Sequence, residues 1–476
     1  MSPRARGVPL DLAKLDHPRL LFVTGRLAEF ALRRELEALA PEVDFAYEVA
    51  VLPISVAALM PPKWVARHLE VPQDIDRVIL PGHCAGDLSV VVEKAGGRPV
   101  ERGPIDLRDL PRFFGKGDRR REGFGRFDIR TLAEINHAPR LPLAEILAIA
   151  ARYQADGADL IDLGCDPGGP WPGVGDAVKA LREAGHRVSI DSFDPVEVAG
   201  AVKAGAELVL SVNGSNREHS RDWGVEVVAV PDRAGSLDGL DATIGDLSKH
   251  DVKFRVDPIL EPIGVGFAPS LGRYLCVRET YPDVEMLMGV GNLTELTDCD
   301  SAGVNMLLIG FCQEVGVRSV LTTEVINWAR SSVREIDLAR RMAYHAVATR
   351  TPPKGLDTGL VMLRDARVPR FGPEVLAEMQ TRIKDPNWRI FAEDGLIHAI
   401  NGSHSLHDAD PFVLFARMGV EDPSHAFYLG YELMKAKTAL ALGKHYRQDN
   451  ALDWGFLTEP ERSHRGSVAD ERDPGP

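Results

Sequence analysis

Gly185-His-Arg-Val-Ser-Ile-Asp191-Ser-Phe-Asp194-Pro195 opens the stretch whose reading decides the fold, and Ala204-Gly-Ala-Glu-Leu-Val-Leu-Ser-Val-Asn213-Gly-Ser-Asn216 closes it. Arg187 to Ile190 is a β-prone run that delivers Asp191 at its carboxyl end. Asp194 reads as a helix N-cap, Pro195 takes the first helical position and Glu197 is placed to close a capping box. Val198, Ala199, Ala201 and Val202 are expected on the buried face, and Gly205 sits where a left-handed C′ residue is wanted. A second apolar run, Leu208 to Val212, ends at Asn213. The unit is strand–helix–strand with a polar residue at each strand end, which is where parallel α/β proteins put their chemistry.

The same grammar repeats on both sides. Strands are expected at Leu132–Ile135, Leu160–Leu163, Arg187–Ile190, Leu208–Val212, Val225–Val230, Phe254–Val256, Glu285–Met288 and Ser319–Leu321, each leading into a helical pattern. Eight alternating units predict a (β/α)8 TIM-type barrel over 126–348. Their ends carry Glu134, Asn136 and His137, then Asp162, Cys165 and Asp166, then Asp191, then Asn213 and Asn216, and later Asp232, Asp257, Asn292 and Glu324. Any one of these has a plain reading as a cap of the next helix, because Asp and Asn are preferred there. A whole mouth of carboxylates and amides, with few Lys or Arg, suits a neutral, donor-rich heterocycle and suits a bare polyphosphate poorly.

The chain has 476 residues, too many for one ordinary core. Residues 1–118 read as a Rossmann-like α/β domain with strands at Leu20–Val23, Phe45–Leu52 and Arg77–Leu80. Thr24-Gly25 reads as a turn before a helix, with phosphate binding there as the sharper alternative. Residues 355–460 read as a small α+β domain, in which Glu393-Asp394-Gly395 marks a hairpin and Ser424–Leu442 a helix. Residues 461–476 are polar enough to be a disordered tail, and Arg119-Arg120-Arg121 reads as part of a solvated linker. His83 and Cys84, and His404 and His407 in a Gly/Ser/Asp loop, lack further ligands at zinc spacing, so no metal is expected.

A formal charge of −14 argues against nucleic acid as the partner. Five cysteines, none in a Cys-x-x-Cys pair, fit a reduced compartment. The start of the chain lacks the apolar core of a signal peptide, and no run approaches the ~20 apolar residues of a membrane helix, so a cytoplasmic location and no membrane partner are expected.

Several motifs resemble those of the pterin-binding family that includes the dihydropteroate synthases. Gly157-Ala-Asp-Leu-Ile-Asp-Leu-Gly164 resembles their second-strand motif and Ser189-Ile-Asp191-Ser their third. Ala204-Gly-Ala-Glu-Leu-Val-Leu resembles the run into the fourth, and Val256-Asp-Pro-Ile-Leu260 with Gly264-Val-Gly-Phe267 the sixth. Val256-Asp-Pro-Ile-Leu-Glu-Pro and Gly289-Val-Gly-Asn292-Leu-Thr are similar to corrinoid methyltransferases that use methyltetrahydrofolate. The three-part layout resembles dihydropteroate synthase-related proteins of organisms that use tetrahydromethanopterin. The resemblance runs from about Leu132 to Glu324. It implies that Asp191 and Asp257 hold a pterin, that Asp162 and Asn213 line its site, and that Asn292 approaches N5 as a catalytic group. Asn136, Asp166 and Glu324 are further mouth candidates.

The departures bear on the reaction. Leu210 stands where the synthases have an Asn, and Val290-Gly-Asn292 replaces their Ser-Arg-Lys. Leu321-Thr-Thr-Glu324 replaces their strand-eight Arg and His, and Asp166-Pro-Gly-Gly-Pro-Trp171 their Ser-Thr-Arg loop. Arg217, Arg233, Arg273 or the terminal domains would have to supply the cations for a pyrophosphate. The resemblance implies a transferase joining a pterin to an arylamine in folate-like or tetrahydromethanopterin synthesis. It leaves open a methyltransferase with methyl-pterin and a corrinoid protein partner, and a non-catalytic pterin-binding subunit. A homodimer is compatible with each.

Overall fold

The computed structural model describes residues 17–105, 107–116, 123–167 and 169–461. The readings of Arg119–Arg121 as a linker, of 462–476 as a disordered tail, and of the first sixteen residues as free of a signal peptide lie outside the described residues.

Strands β1 (Arg19–Gly25), β2 (Ala46–Leu52), β3 (Arg77–Leu80) and β4 (Val100–Arg102) form a parallel sheet in the order β2-β1-β3-β4. β4 was not expected: three residues after a Gly-Gly turn carry too little period to read. Gly25 ends β1 against the next crossover, where a Cβ would come 2.8 Å from the Ile54 carbonyl oxygen. Close packing therefore accounts for that glycine.

The eight expected strands all form: β5 (Arg130–Ile135), β6 (Leu160–Gly164), β7 (Val188–Asp191), β8 (Leu208–Val212), β9 (Glu226–Ala229), β10 (Phe254–Val256), β11 (Leu287–Gly289) and β12 (Ser319–Thr322). They are parallel neighbours in one sheet, with β5 pairing both β6 and β12. A bridge between Val256 and Met286 and the Val256 N–H to Glu285 O bond (2.9 Å) join β10 to the segment entering β11. The sheet thereby closes into a (β/α)8 barrel. Leu132, Leu160, Leu208, Leu210, Val228, Val230 and Leu287 fill its interior. Alternate residues such as Ala133, Ile161, Ile190, Val227 and Val320 face the helices.

Arg340, on the helix Ser332–Thr349, ties the amino-terminal end of the barrel together. It donates to Ile129 O and Gly157 O (both 2.9 Å) and to Asp337 Oδ1, and it pairs with Asp159. Phe127 lies over its guanidinium at 3.7 Å.

β13 (Arg389–Glu393), β14 (Leu396–Ile400) and β15 (Ser405–Asp408) form an antiparallel meander under the helices Pro411–Met418 and Pro423–Leu442. Asp394 (φ 50°) and Gly395 (φ 80°) make the two-residue turn that the sequence signals. His407 lies in β15, a strand where the sequence reads as a loop; its polar residues alternate beside a formed hairpin that supplies the pairing edge.

Candidate functional site

The β7–helix–β8 unit folds largely as its sequence dictates. Asp194 accepts from the amides of Val196 (2.8 Å) and Glu197 (3.1 Å), and Gly205 takes φ 113° at the helix end. Glu197 does not close the expected capping box. The Asp194 amide bonds instead to Ser192 Oγ (3.0 Å), and the buried Glu197 carboxylate accepts from Ser192 and from the Trp171 amide (2.8 Å). Glu197 thus joins the loop after β6 to the loop after β7. Ala199, expected on the buried face, is exposed.

Asp191 ends β7 half-buried and pointing inward, and its Oδ1 accepts from Ser211 Oγ at 2.6 Å. Ser211 reaches it because β8 is bulged: Ser211 takes φ 66°, and the register to β9 shifts between Val209 and Val212. Leu210 and Ser211 consequently both face the interior, while Val209 and Val212 face the helices. Burial raises the Asp191 carboxyl above its usual range, and the serine partly offsets this.

Asp257 follows β10 and is 9% exposed. Its Oδ1 accepts from Tyr274 Oη (2.6 Å) and from the Ile259 amide (2.8 Å). Burial pushes it up to about 6 against these hydrogen bonds. Ile259 is held at φ 66°, a costly conformation for a β-branched residue. Arg273 secures the turn by donating to Pro258 O (3.1 Å) and Ile259 O (2.7 Å).

Asp162 lies deeper than a mouth residue. It is wholly enclosed in β6, and neither carboxylate oxygen has a hydrogen-bond partner. Glu134 pairs with it in register from β5. Burial, then the charges of Asp191 and Glu295, push Glu134 up to about 8. Glu134 is the site residue that strand-end reasoning noticed and did not select. Its signal is a charged residue at the inward position two beyond Leu132.

The remaining candidates separate. Asn292 is exposed after β11, and its Nδ2 donates to Leu260 O (3.0 Å), which brings it beside the β10 loop. Asn136 is half-buried at the end of β5. Asn213 Oδ1 is taken by the Ser215 amide (3.0 Å) and hydroxyl (2.7 Å), an Asx-type turn. Asp166 binds Arg140 through two bonds (2.7 and 2.8 Å) and His137 (2.5 Å), and these partners hold it below the usual carboxylate range. Glu324 does not join the mouth. It caps the helix Ser332–Thr349 through the Val333 amide (3.1 Å) and pairs with Arg152 (2.9 Å). Burial raises it to about 7.

Of the three arginines considered for a pyrophosphate, Arg233 pairs with Asp238 and the buried Arg273 holds the β10 loop, while Arg217 donates one bond to the Thr243 hydroxyl (3.2 Å). Among the described residues, no group of three or more His, Cys, Asp or Glu side chains could hold a metal ion. No described helix is long and apolar enough to cross a membrane. A cavity of about 150 Å³ lies apart from the barrel, at the carboxyl ends of β1, β3 and β4, between Thr24, His83 and Gly103.

A closed parallel barrel with inward carboxylates at its carboxyl end defines an α/β barrel with a polar mouth. Residues 18–105 match the profile of a family of unknown function (DUF6513), and 412–449 match one described as PterinBD-DUF4346. An uncharacterized protein of Methanocaldococcus jannaschii is 26% identical, over 90% of this chain and 98% of its own. Among solved structures, a dihydropteroate synthase from Xanthomonas albilineans in complex with 7,8-dihydropteroate is 19% identical, with a TM-score of 0.37. The alignment covers 46% of this chain and 93% of that one. The synthase from Thermus thermophilus in complex with 4-aminobenzoate is 21% identical over 45% and 93%, with a TM-score of 0.35.

Proposed function

We propose that the barrel mouth binds a pterin and that the protein is a dihydropteroate synthase-related transferase, joining the pterin to an arylamine in folate-like or tetrahydromethanopterin carrier synthesis. The observation that carries this reading is the pair Asp191 and Asp257. Both are inward at strand ends, and each is fixed by a hydroxyl donor. Carboxylates so held accept from the amino and N–H edge of a pterin. The PterinBD-DUF4346 match supports the reading from outside the barrel.

Asp257→Asn sets an amide donor against the ring's donors. Affinity for 7,8-dihydropterin, read by titration calorimetry, is expected to fall about ten- to a few hundred-fold, and similarly for Asp191→Asn. Thermal melts should change little, because strand-end residues carry little of the core. Unchanged affinity would remove the pterin assignment, and a collapsed melt would make these aspartates structural.

Asn292 favours a second reading, methyl transfer from a methyl-pterin to a corrinoid partner, because it stands beside the β10 loop that carries Asp257. Under that reading Asn292→Ala slows methyl transfer and leaves pterin binding largely intact, as expected of a bond that strengthens in the transition state. Equal loss of binding and rate would count against it. Pterin binding with no turnover of either kind would mark a non-catalytic subunit.

A further inference from the structure

Glu134 is the inward residue next above Leu132 on β5, and its register partner on β6 is Asp162. Gly164, two residues beyond Asp162, leaves room for it: a Cβ there would stand 2.2 Å from Glu134 Oε1. Glu134 therefore leans over β6 toward Asp191, the register partner of Gly164. Beneath it Asp162 is fully enclosed with both oxygens unpartnered. Ser189, the register partner of Asp162 on β7, is equally enclosed, and its hydroxyl has no hydrogen-bond partner.

Glu134 sits among acidic groups. Asp162 is its register partner on β6, and the charges of Asp191 on β7 and Glu295 after β11 act on it. The Asp191 charge also reaches Asp257 after β10, and the charges of Asp162 and Asp191 reach Cys165 in the loop after β6. Among the described residues no Lys or Arg bonds to Glu134, Asp162 or Asp191. Crowded carboxyls without a cation, one of them fully enclosed, cannot all ionise, so at least one proton stays.

Several donors around the site are already engaged. Ser211 already donates to Asp191, Tyr274 to Asp257 and Asn292 to Leu260 O. A pterin carries acceptors as well as donors, in its 4-oxo group and ring nitrogens. We propose that Glu134, with Asp162 beneath it, is a neutral carboxylic acid at neutral pH and donates its proton as a hydrogen bond to an acceptor on the ligand's ring. Glu134 is then a specificity residue, selecting rings that present an acceptor beside the donor edge taken by the aspartates. The identity of the ring rests on the pterin reading; the retained proton does not.

Two measurements on the full-length protein separate these halves. A carboxyl-carbon NMR titration of protein labelled at glutamate, with Glu134→Gln to assign the signal, should place the Glu134 midpoint above neutrality. A midpoint in the ordinary range near 4 would overturn the proposal. Asp191→Asn should lower that midpoint, because the Asp191 charge is the first cause after burial, and an unmoved midpoint would remove Asp191 from the cluster. Calorimetry with 7,8-dihydropterin should then show wild-type affinity falling about tenfold per pH unit above about pH 8, as the donor is lost. Glu134→Gln should be flat over the same range, because an amide donates at every pH. A flat wild-type profile would overturn the donor role. A high midpoint with no pterin binding at any pH would sink the pterin reading and sustain the retained proton.

Discussion

Asp257 is useful to a ligand only as an acceptor, and its carboxyl, pushed up to about 6 by burial, makes that role depend on pH. Above that value the group is ionised and, on the proposed reading, takes hydrogen bonds from a pterin's amino edge. As pH falls through it the proton returns and turns an acceptor into a donor. Dihydropterin affinity should therefore fall by about tenfold per pH unit once the buffer is below about pH 6. Calorimetry between pH 7 and about pH 5, with a melt at each pH to show that the protein stays folded, checks the sign. Affinity that rises toward acid would mean the aspartate binds in its neutral form. The donor role proposed for Glu134 has the opposite dependence, so the two proposals together predict tight binding only in a window between about 6 and 8.

Two irregular elements shape the site. The bulge in β8 turns Ser211 inward beside Leu210, which gives Asp191 a donor at the level where a regular strand would show only leucine. The turn after β10 keeps Ile259 at φ 66° because Arg273 grips two of its carbonyls and Asp257 takes its amide. Arg273→Met should leave both carbonyls without their donor and let the turn relax. A stability loss of about 1–3 kcal/mol is expected, with weaker dihydropterin binding because Asp257 loses its placement. Urea unfolding and calorimetry on the same preparation measure both. Full stability with normal binding would show that the turn holds itself.

Over the whole molecule, the distribution of cations bears most on the reaction. The chain carries −14, and three of the arginines around the mouth are already engaged: Arg140 with Asp166, Arg233 with Asp238, Arg273 with the β10 turn. A pyrophosphate leaving group would meet inward carboxylates with no free cation among these arginines. Release of pyrophosphate from a dihydropterin pyrophosphate and para-aminobenzoate should accordingly be weak. A coupled pyrophosphate assay showing turnover of several per second, ordinary for enzymes, would contradict this and restore a plain dihydropteroate synthase chemistry.

Local chemistry determined a good deal. Alternating strand and helix periods gave all eight barrel strands, Asp194 and Pro195 started their helix, and Asp394-Gly395 made its turn, because each depends on residues a few positions apart. Strand ends were legible in the same way, so the candidates were found as a set. Which of them converge was decided only by closure of the barrel. Glu134 and Glu324 are both glutamates at strand ends, yet one faces three acidic neighbours and the other caps a helix. Asp162 and Asp191 both fall on inward positions, yet one is sealed beneath the mouth and the other reaches it. Inward or outward, deep or shallow, is set by the register between strands tens of residues apart, by one bulge and by one glycine that leaves space. None of those is a property of a short stretch of sequence, because each depends on what the neighbouring strand brings alongside.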